Sequence, residues 1–136
     1  MRATSWTGIV ASAIVVVTTL AGCGGGTKTL GPQFQPEVAN STDTFQFQAT
    51  GLTGVTQTLT YTWRNTGTQS SVDQSCAITG GTATVTLSDS TGTQVYSRSL
   101  AQSGSFPSTA GLAGAWSIRV TLSQVQGTLN FRAQKM

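Results

Sequence analysis

Few side chains of this 136-residue chain could take part in chemistry. The chain has no histidine, the commonest general base and metal ligand. Of its four acids, Asp73 and Asp89 lie near the ends of predicted strands, where they could share a calcium ion or flank a glycosidic bond. Calcium, however, takes about six to eight oxygen ligands. We therefore interpret both as solvated turn residues, with a calcium site or a small hydrolase built on them as alternatives.

Nucleophiles lack an activating partner in the sequence. The only lysines, Lys28 and Lys135, lie in a linker-like segment and at the C-terminal end, where neither is easily buried. Cys76 lies beside apolar residues and has no close positive neighbour, so we interpret it as a small buried side chain, with an intermolecular disulfide as the alternative. The sequence thus predicts no catalytic residue and no cofactor, and we do not expect an enzyme.

The other cysteine, Cys23, follows an N-terminal apolar segment. Arg2 gives this segment a positive start, and an apolar run of about 13 residues extends from Gly8 to Leu20. A membrane-spanning helix needs about 20 apolar residues, so the run is short for a span. Residues 1–22 therefore have the organisation of an export signal.

The end of that segment, Leu20-Ala21-Gly22-Cys23, resembles the lipobox of bacterial lipoproteins. The resemblance implies cleavage between Gly22 and Cys23 and attachment of a diacylglycerol, with palmitate, to the Cys23 thiol. Gly24 stands where Asp would imply inner-membrane retention, so the resemblance implies an exported protein lipid-anchored at the outer membrane or cell surface. A plain secretory signal or an uncleaved anchor is the alternative, and organism and leaflet stay open.

Glycine and proline dominate the next segment, which contains Gly24-Gly25-Gly26, Gly31-Pro32 and Pro36. We predict three parts: a signal peptide at 1–22, a lipidated cysteine with a flexible tether at 23–43, and a folded domain at 44–136. Such a tether would have an r.m.s. span of about 25 Å. Phe34 and Val38 are its apolar exceptions and could add an edge strand.

Alternating apolar and polar residues mark strands throughout the domain. Leu59, Tyr61 and Trp63 alternate with threonines, and Trp116 to Leu122 repeats the pattern. Gly80-Gly81 predicts a two-residue hairpin turn that sets Thr79 opposite Thr82. About seven strands at spacings near ten residues predict an all-β, antiparallel β-sandwich, with a small β-barrel as the alternative.

One stretch of the domain, from Thr82 to Val120, has a strand, an Asp-x-x-Gly turn, another strand, a loop and Gly114-Ala115-Trp116-Ser117-Ile118. It resembles accessory β-sandwich domains of the bacterial pre-peptidase C-terminal type over about 40 residues. The resemblance implies a non-catalytic module, of the kind appended to secreted enzymes.

Arginines and aromatic residues are the candidate ligand contacts. Arg64, Arg119 and Arg132 take the polar parity of their strands, so a shared sheet would place them on one basic, threonine-rich surface. We interpret these arginines as ordinary solubilising charge, with a contact surface for an anionic glycan or headgroup as the alternative. Phe106, in a predicted loop at 101–114, is a further candidate contact. Trp63 and Trp116 share parity with aliphatic neighbours, which favours the core over a sugar-stacking platform.

The small net charge of the chain limits the classes of molecule that we expect it to bind. Without residues 1–22 the chain has six bases and four acids, a net charge of +2, with no basic cluster, so we expect no nucleic-acid binding. We expect a membrane-anchored lipoprotein whose sandwich binds or scaffolds an envelope protein or an anionic glycan. A structural surface or inhibitor lipoprotein without a small ligand is the alternative, and the oligomeric state stays open.

Overall fold

The computed structural model describes residues 28–136. The predicted signal peptide, its cleavage site at Gly22 and the lipidation site at Cys23 lie outside the described residues. No helix within residues 28–136 has the length and apolar character needed to cross a membrane.

Seven antiparallel strands and one short 3-10 helix, Pro32–Phe34, form the described chain. The strands are β1 (Glu37–Ser41), β2 (Thr44–Asn65), β3 (Ser70–Gln74), β4 (Ala77–Ser88), β5 (Gln94–Ser99), β6 (Gly104–Pro107) and β7 (Gly114–Lys135). All of them belong to one sheet. The predicted all-β antiparallel fold of about seven strands is therefore confirmed.

Strands β2 and β7 are the spine of the sheet. Each is 22 residues long, and they pair from Thr44 with Gln134 to Asn65 with Gly114. On its other side β7 pairs first with β4 and then, near its end, with β3. Strands β1, β6 and β5 add to β2, β3 and β4, so the sheet is open rather than closed into the alternative small barrel.

The three longest strands change register at the same level of the sheet. β2 and β7 shift between Ala49 and Gln57, and β4 shifts against β7 on both sides of Gly80. Bulges of this kind bend a strand and increase its twist. We term this level the bend line; it comprises residues 50–56 of β2, 79–81 of β4 and 123–127 of β7.

Gly81 shows why the bend line needs glycine. Its φ is +72°, a left-handed conformation that L side chains disfavour. A Cβ atom at this position would overlap the carbonyl group of Gln124 on β7. The close approach of β4 and β7 therefore depends on the missing side chain.

The bend line divides the sheet into two halves that face each other. Half A contains β1, β3, β6, residues 44–49 of β2 and 128–135 of β7, and half B contains β5, residues 82–88 of β4, 57–65 of β2 and 114–122 of β7. Phe45 in half A packs on Tyr61 in half B, with ring centroids 5.2 Å apart, although both belong to β2. One folded sheet thus supplies both layers of the predicted sandwich.

The core lies between the two halves. Trp63 and Trp116 are fully buried and pack edge to face, with ring centroids 5.9 Å apart. Their indole N–H groups donate to the carbonyls of Ser41, at 3.1 Å, and Leu112, at 2.8 Å. Both tryptophans are therefore core residues, as their strand parity predicts, rather than sugar platforms.

The predicted hairpin at Gly80-Gly81 is wrong, because β4 runs through both glycines as one strand. Thr82 pairs with Ser123 of β7 and not with Thr79. A glycine with positive φ serves a bulge as well as a turn, so the local sequence does not distinguish the two.

The folded part also begins before residue 44. Phe34 is buried in the core, β1 pairs with β2, and the Thr56 N–H donates to the Lys28 carbonyl at 2.9 Å. Residues 28–43, which the sequence assigns to the tether, therefore belong to the domain. Because all five residues of β1 are exposed, this strand has no apolar alternation to reveal it; Val38 lies within it.

Candidate functional site

The outer face of half B is an array of hydroxyl side chains that surrounds two arginines. Alternate residues of four adjacent strands form it, and we term it the hydroxyl face. Its members are Thr58, Thr60, Thr62 and Arg64 of β2, Ser117, Arg119 and Thr121 of β7, Thr84, Thr86 and Ser88 of β4, and Ser97 and Ser99 of β5. These members include no acid and no large apolar residue.

Arg119 lies at the centre of this array. The register sets it between Thr60 and Thr86, with Ser97 next to Thr86 on the outermost strand. Neighbouring strands lie about 4.7–4.9 Å apart, so residues with hydroxyl side chains flank Arg119 on both sides. The hydroxyls of Thr86 and Ser97 bond to each other at 3.2 Å. The paired strands thus hold an array of hydroxyl donors and acceptors around one cationic side chain.

Arg64 and Arg119 are both exposed. Among residues 28–136, the two ion pairs are Arg132 with Asp73 and Lys135 with Asp43, so neither arginine of the hydroxyl face pairs with a carboxylate there. Their charges are therefore free to meet an anionic group.

Arg132 does not share this surface, so the prediction of one three-arginine face is wrong. It lies on the outer face of half A, and its Nη2 atom is 3.5 Å from Oδ2 of Asp73. The strand parity is right, but the inner faces of the two halves face each other across the core. Their outer faces therefore point in opposite directions.

A shallow groove of about 190 Å³ lies on the outer face of half A. Its lining residues are Gln46, Asp73, Ser75, Asn130 and Arg132, and we term it the amide groove. Cross-strand pairing puts Gln46, Arg132 and Asp73 in one row. The groove lies beside the short break between the end of β3 and the start of β4.

Cys76 lies in that break, directly before β4. The Asn130 N–H donates to its Sγ atom at 3.2 Å, and the thiol can donate to the Asn130 carbonyl at 3.4 Å. Burial raises the pKa of the thiol, so the reactive thiolate is disfavoured. The interpretation as a structural side chain agrees with these contacts, although Cys76 is half-buried rather than fully buried.

The two acids considered for calcium or hydrolysis lie in separate hydrogen-bond networks. Asp73 is on β3, where it accepts a hydrogen bond from the Ser105 hydroxyl at 2.5 Å and pairs with Arg132. Asp89 follows β4 and is 5% exposed, so it is not the solvated turn residue that we predict. Among residues 28–136, no group of three or more His, Cys, Asp or Glu side chains could hold a metal ion.

Asp89 organises the turn after β4. Its Oδ1 atom accepts hydrogen bonds from the Thr91 hydroxyl at 2.7 Å, the Thr91 N–H at 2.9 Å and the Thr93 N–H at 3.0 Å, and its Oδ2 atom accepts from the Leu112 N–H at 3.0 Å. These donors, the Thr91 hydroxyl first, lower the pKa of Asp89 to about 2. The carboxylate is thus a fixed anion that joins two loops.

Phe106 is not in a loop, because it lies in β6 opposite Val72. The Arg98 guanidinium lies over its ring, 3.8 Å from the centroid, and the Arg98 Nη1 atom donates to Gln102 at 2.8 Å. One side of the half-buried ring is therefore covered by a side chain of the same chain, which weakens the case for Phe106 as a ligand contact.

Three of the groove residues are not among the sites that the sequence predicts: Gln46, Ser75 and Asn130. Gln46 follows Phe45 and Asn130 precedes Phe131, so strand alternation predicts that both polar side chains face outward. Neither residue is unusual in an exposed strand position. Only the pairing of β2, β7 and β3 brings them together with Asp73 and Arg132.

The chain was compared with protein-family models, with curated proteins and with solved structures. None of the three comparisons finds a match.

Proposed function

We propose that this chain is an exported, lipid-anchored protein of the bacterial envelope whose folded sheet is a non-catalytic binding module. Its ligand is an anionic glycan, and the hydroxyl face is the surface that binds it. The observation that carries this proposal is Arg119, which lies at the centre of the serine and threonine array and pairs with no carboxylate within residues 28–136.

The chemistry of this face suits an anionic glycan. A guanidinium presents a planar fork of donors that matches phosphate or carboxylate oxygens. The surrounding hydroxyl groups both donate and accept, as the hydroxyls of a sugar require. Because the face has no acid, nothing on it repels a polyanion. Arg64, further along β2, extends the positive charge along an elongated ligand.

The lipobox supplies the anchor in this proposal. The Lys28 carbonyl bonds to Thr56 at the bend line, so the chain enters the fold there. Five residue steps separate Cys23 from Lys28, and a fully extended chain covers at most about 18 Å over that length. A lipid on Cys23 would therefore hold the bend line closer to the headgroups than the 25 Å that a longer tether predicts. Both outer faces would then extend away from the membrane.

Three edge strands of the sheet are short: β1, β6 and β5 contain five, four and six residues. Pro36 precedes β1 and Pro107 ends β6, and short edges with proline resist pairing with another sheet. In half B, however, the edge is residues 57–65 of β2, which pair with β7 alone. This longer edge is the basis of the alternative function, a structural surface protein that assembles through strand pairing.

Replacing both Arg64 and Arg119 with alanine tests the ligand. We expect the full-length double variant to bind immobilised lipopolysaccharide or wall teichoic acid at least about tenfold more weakly than the original chain. Exposed charge-assisted contacts are worth roughly 1 kcal/mol or more, and about 1.4 kcal/mol is tenfold in affinity. Surface plasmon resonance at low and high salt measures the change, and salt should weaken the original binding.

Lys28→Ala/Lys135→Ala is the matched control, because it also removes two exposed positive charges and both lie outside the hydroxyl face. Its binding should stay within about twofold of the original. Equal losses in the control and the double variant would indicate general charge attraction and argue against this face. Unchanged binding of the double variant would contradict the proposal.

The anchor has its own test. Cells that express the full chain should incorporate labelled palmitate into it, and globomycin should block its processing. Both effects should disappear in Cys23→Ala, because this thiol is the proposed acylation site. Cys76→Ala, which removes the other thiol, should be labelled normally. Palmitate that remains on the Cys23→Ala chain would exclude Cys23 as the lipidated residue.

A further inference from the structure

We propose a second binding site, the amide groove of half A, which takes a neutral polyol such as a single hexopyranose ring of a glycan. The proposal does not depend on the hydroxyl face or on the anchor. It is carried by the set of donors and acceptors that the sheet brings together around a concave surface.

Most of the hydrogen-bonding capacity of the groove is unused within the described chain. Among residues 28–136, the side chains of Gln46, Ser75 and Asn130 make no hydrogen bond to another residue, whereas the backbone of Asn130 is fully engaged by Ser75 and Cys76. Two carboxamides and one hydroxyl therefore offer both donors and acceptors to a ligand. Their backbone positions are fixed, because Gln46 and Asn130 lie within paired strands and the Ser75 N–H donates to the Asn130 carbonyl at 2.9 Å.

The ion pair in the groove determines the charge of the ligand. Asp73 and Arg132 are directly opposite each other on β3 and β7, with the charged atoms 3.5 Å apart. Together they are neutral, so the groove does not attract an anion as the hydroxyl face does. A hydroxyl group can donate to the Asp73 carboxylate and accept from the Arg132 guanidinium without separating the pair. A sugar ring has several adjacent hydroxyls, and each of them can donate and accept hydrogen bonds in this way.

Size restricts the ligand to one small unit. Pockets for drug-sized ligands have volumes of about 300–1,000 Å³, and this groove has about 190 Å³. It is open on one side, so the rest of a glycan could extend away from it. No aromatic residue lines it, so we expect dissociation constants in the millimolar range, set by hydrogen bonds that compete with water.

Titration by NMR tests the site. Methyl glycosides of glucose, galactose, mannose and N-acetylglucosamine are added in turn to the isotope-labelled full-length chain in detergent micelles. Zwitterionic glycine and anionic acetate are the charged probes. We expect at least one glycoside to shift the side-chain amide signals of Gln46 and Asn130 saturably, and neither charged probe to do so.

Variants locate the binding. Asn130→Ala and the isosteric Asp73→Asn should each weaken the shift at Gln46 at least about fivefold, whereas Gln134→Ala, on the same strand and face but outside the groove, should leave it unchanged. No saturable shift with any glycoside would overturn the proposal. So would shifts that persist in both groove variants, or saturable binding of glycine or acetate instead of the glycosides.

Discussion

Gly81→Ala should lower the free energy of unfolding by about 3 kcal/mol or more. The left-handed conformation costs a residue with a side chain about 1–2 kcal/mol. The new Cβ atom would also overlap the carbonyl group of Gln124, which is backbone and is held in β7. The two strands must move apart, and the bend line loses its close contact. Urea unfolding of the full chain, followed by circular dichroism, measures the change.

Gly51→Ala is the matched control for this prediction. Gly51 also has a positive φ, +65°, and lies at the bend line in β2, but no atom lies within 4 Å of the position that a Cβ would take. Gly51→Ala should therefore lower the free energy of unfolding only by the cost of the left-handed conformation, about 1–2 kcal/mol. If the two variants were equally stable, the close approach at Gly81 would have no energetic importance.

Trp63→Ala should lower the free energy of unfolding by about 3–5 kcal/mol, the usual loss when a large buried aromatic side chain is deleted. Trp63 is fully buried between the halves, packs on Trp116 and donates to the Ser41 carbonyl, which precedes β2. Deletion leaves a cavity where the halves meet and removes the hydrogen bond from the indole to the Ser41 carbonyl. Thermal and urea unfolding should both show the loss.

Trp63→Phe separates packing from hydrogen bonding. Phenylalanine keeps much of the aromatic volume but loses the indole N–H, so we expect a smaller loss of about 1–2 kcal/mol. A loss below about 1 kcal/mol in the alanine variant would contradict the core position of Trp63. Such a result would instead support the alternative that Trp63 is an exposed aromatic platform.

Strand parity is the part of the fold that the sequence predicts well. In β2, Leu59, Tyr61 and Trp63 face inward and the intervening threonines face outward, as their alternation indicates. The Asp89 turn is also present, with the Gly92 N–H donating to the Asp89 carbonyl at 3.0 Å. These features depend on neighbours a few residues away, which a local pattern contains.

The bend line is the part that local patterns do not predict. Gly51 to Gly54, Gly80-Gly81 and Gln126-Gly127 each look like a turn that ends a strand, yet β2, β4 and β7 continue through them. A turn and a bulge both use glycine with positive φ. The difference lies in the partner strand, which for Gly81 is more than 40 residues away in sequence.

The same limit applies to the candidate sites. Parity correctly places Arg64, Arg119 and Arg132 on outer faces, but the fold at the bend line decides which outer face each one occupies. Two arginines remain together on the hydroxyl face, and Arg132 pairs with Asp73 beside the amide groove. Asp89 likewise needs donors from Thr91, Thr93 and Leu112, and the last of these comes from a distant loop.

Mapping where a bound anionic glycan contacts the full chain tests the function of the hydroxyl face most directly. Lipopolysaccharide fragments are added to the isotope-labelled chain, and backbone amide shifts are recorded at a salt concentration that permits binding. We predict that the largest shifts cluster at Thr60, Thr86 and Arg119 and disappear in the Arg64→Ala/Arg119→Ala variant. A map centred on the opposite outer face, around Gln46 and Arg132, would contradict the assignment of the hydroxyl face as the anionic-glycan site.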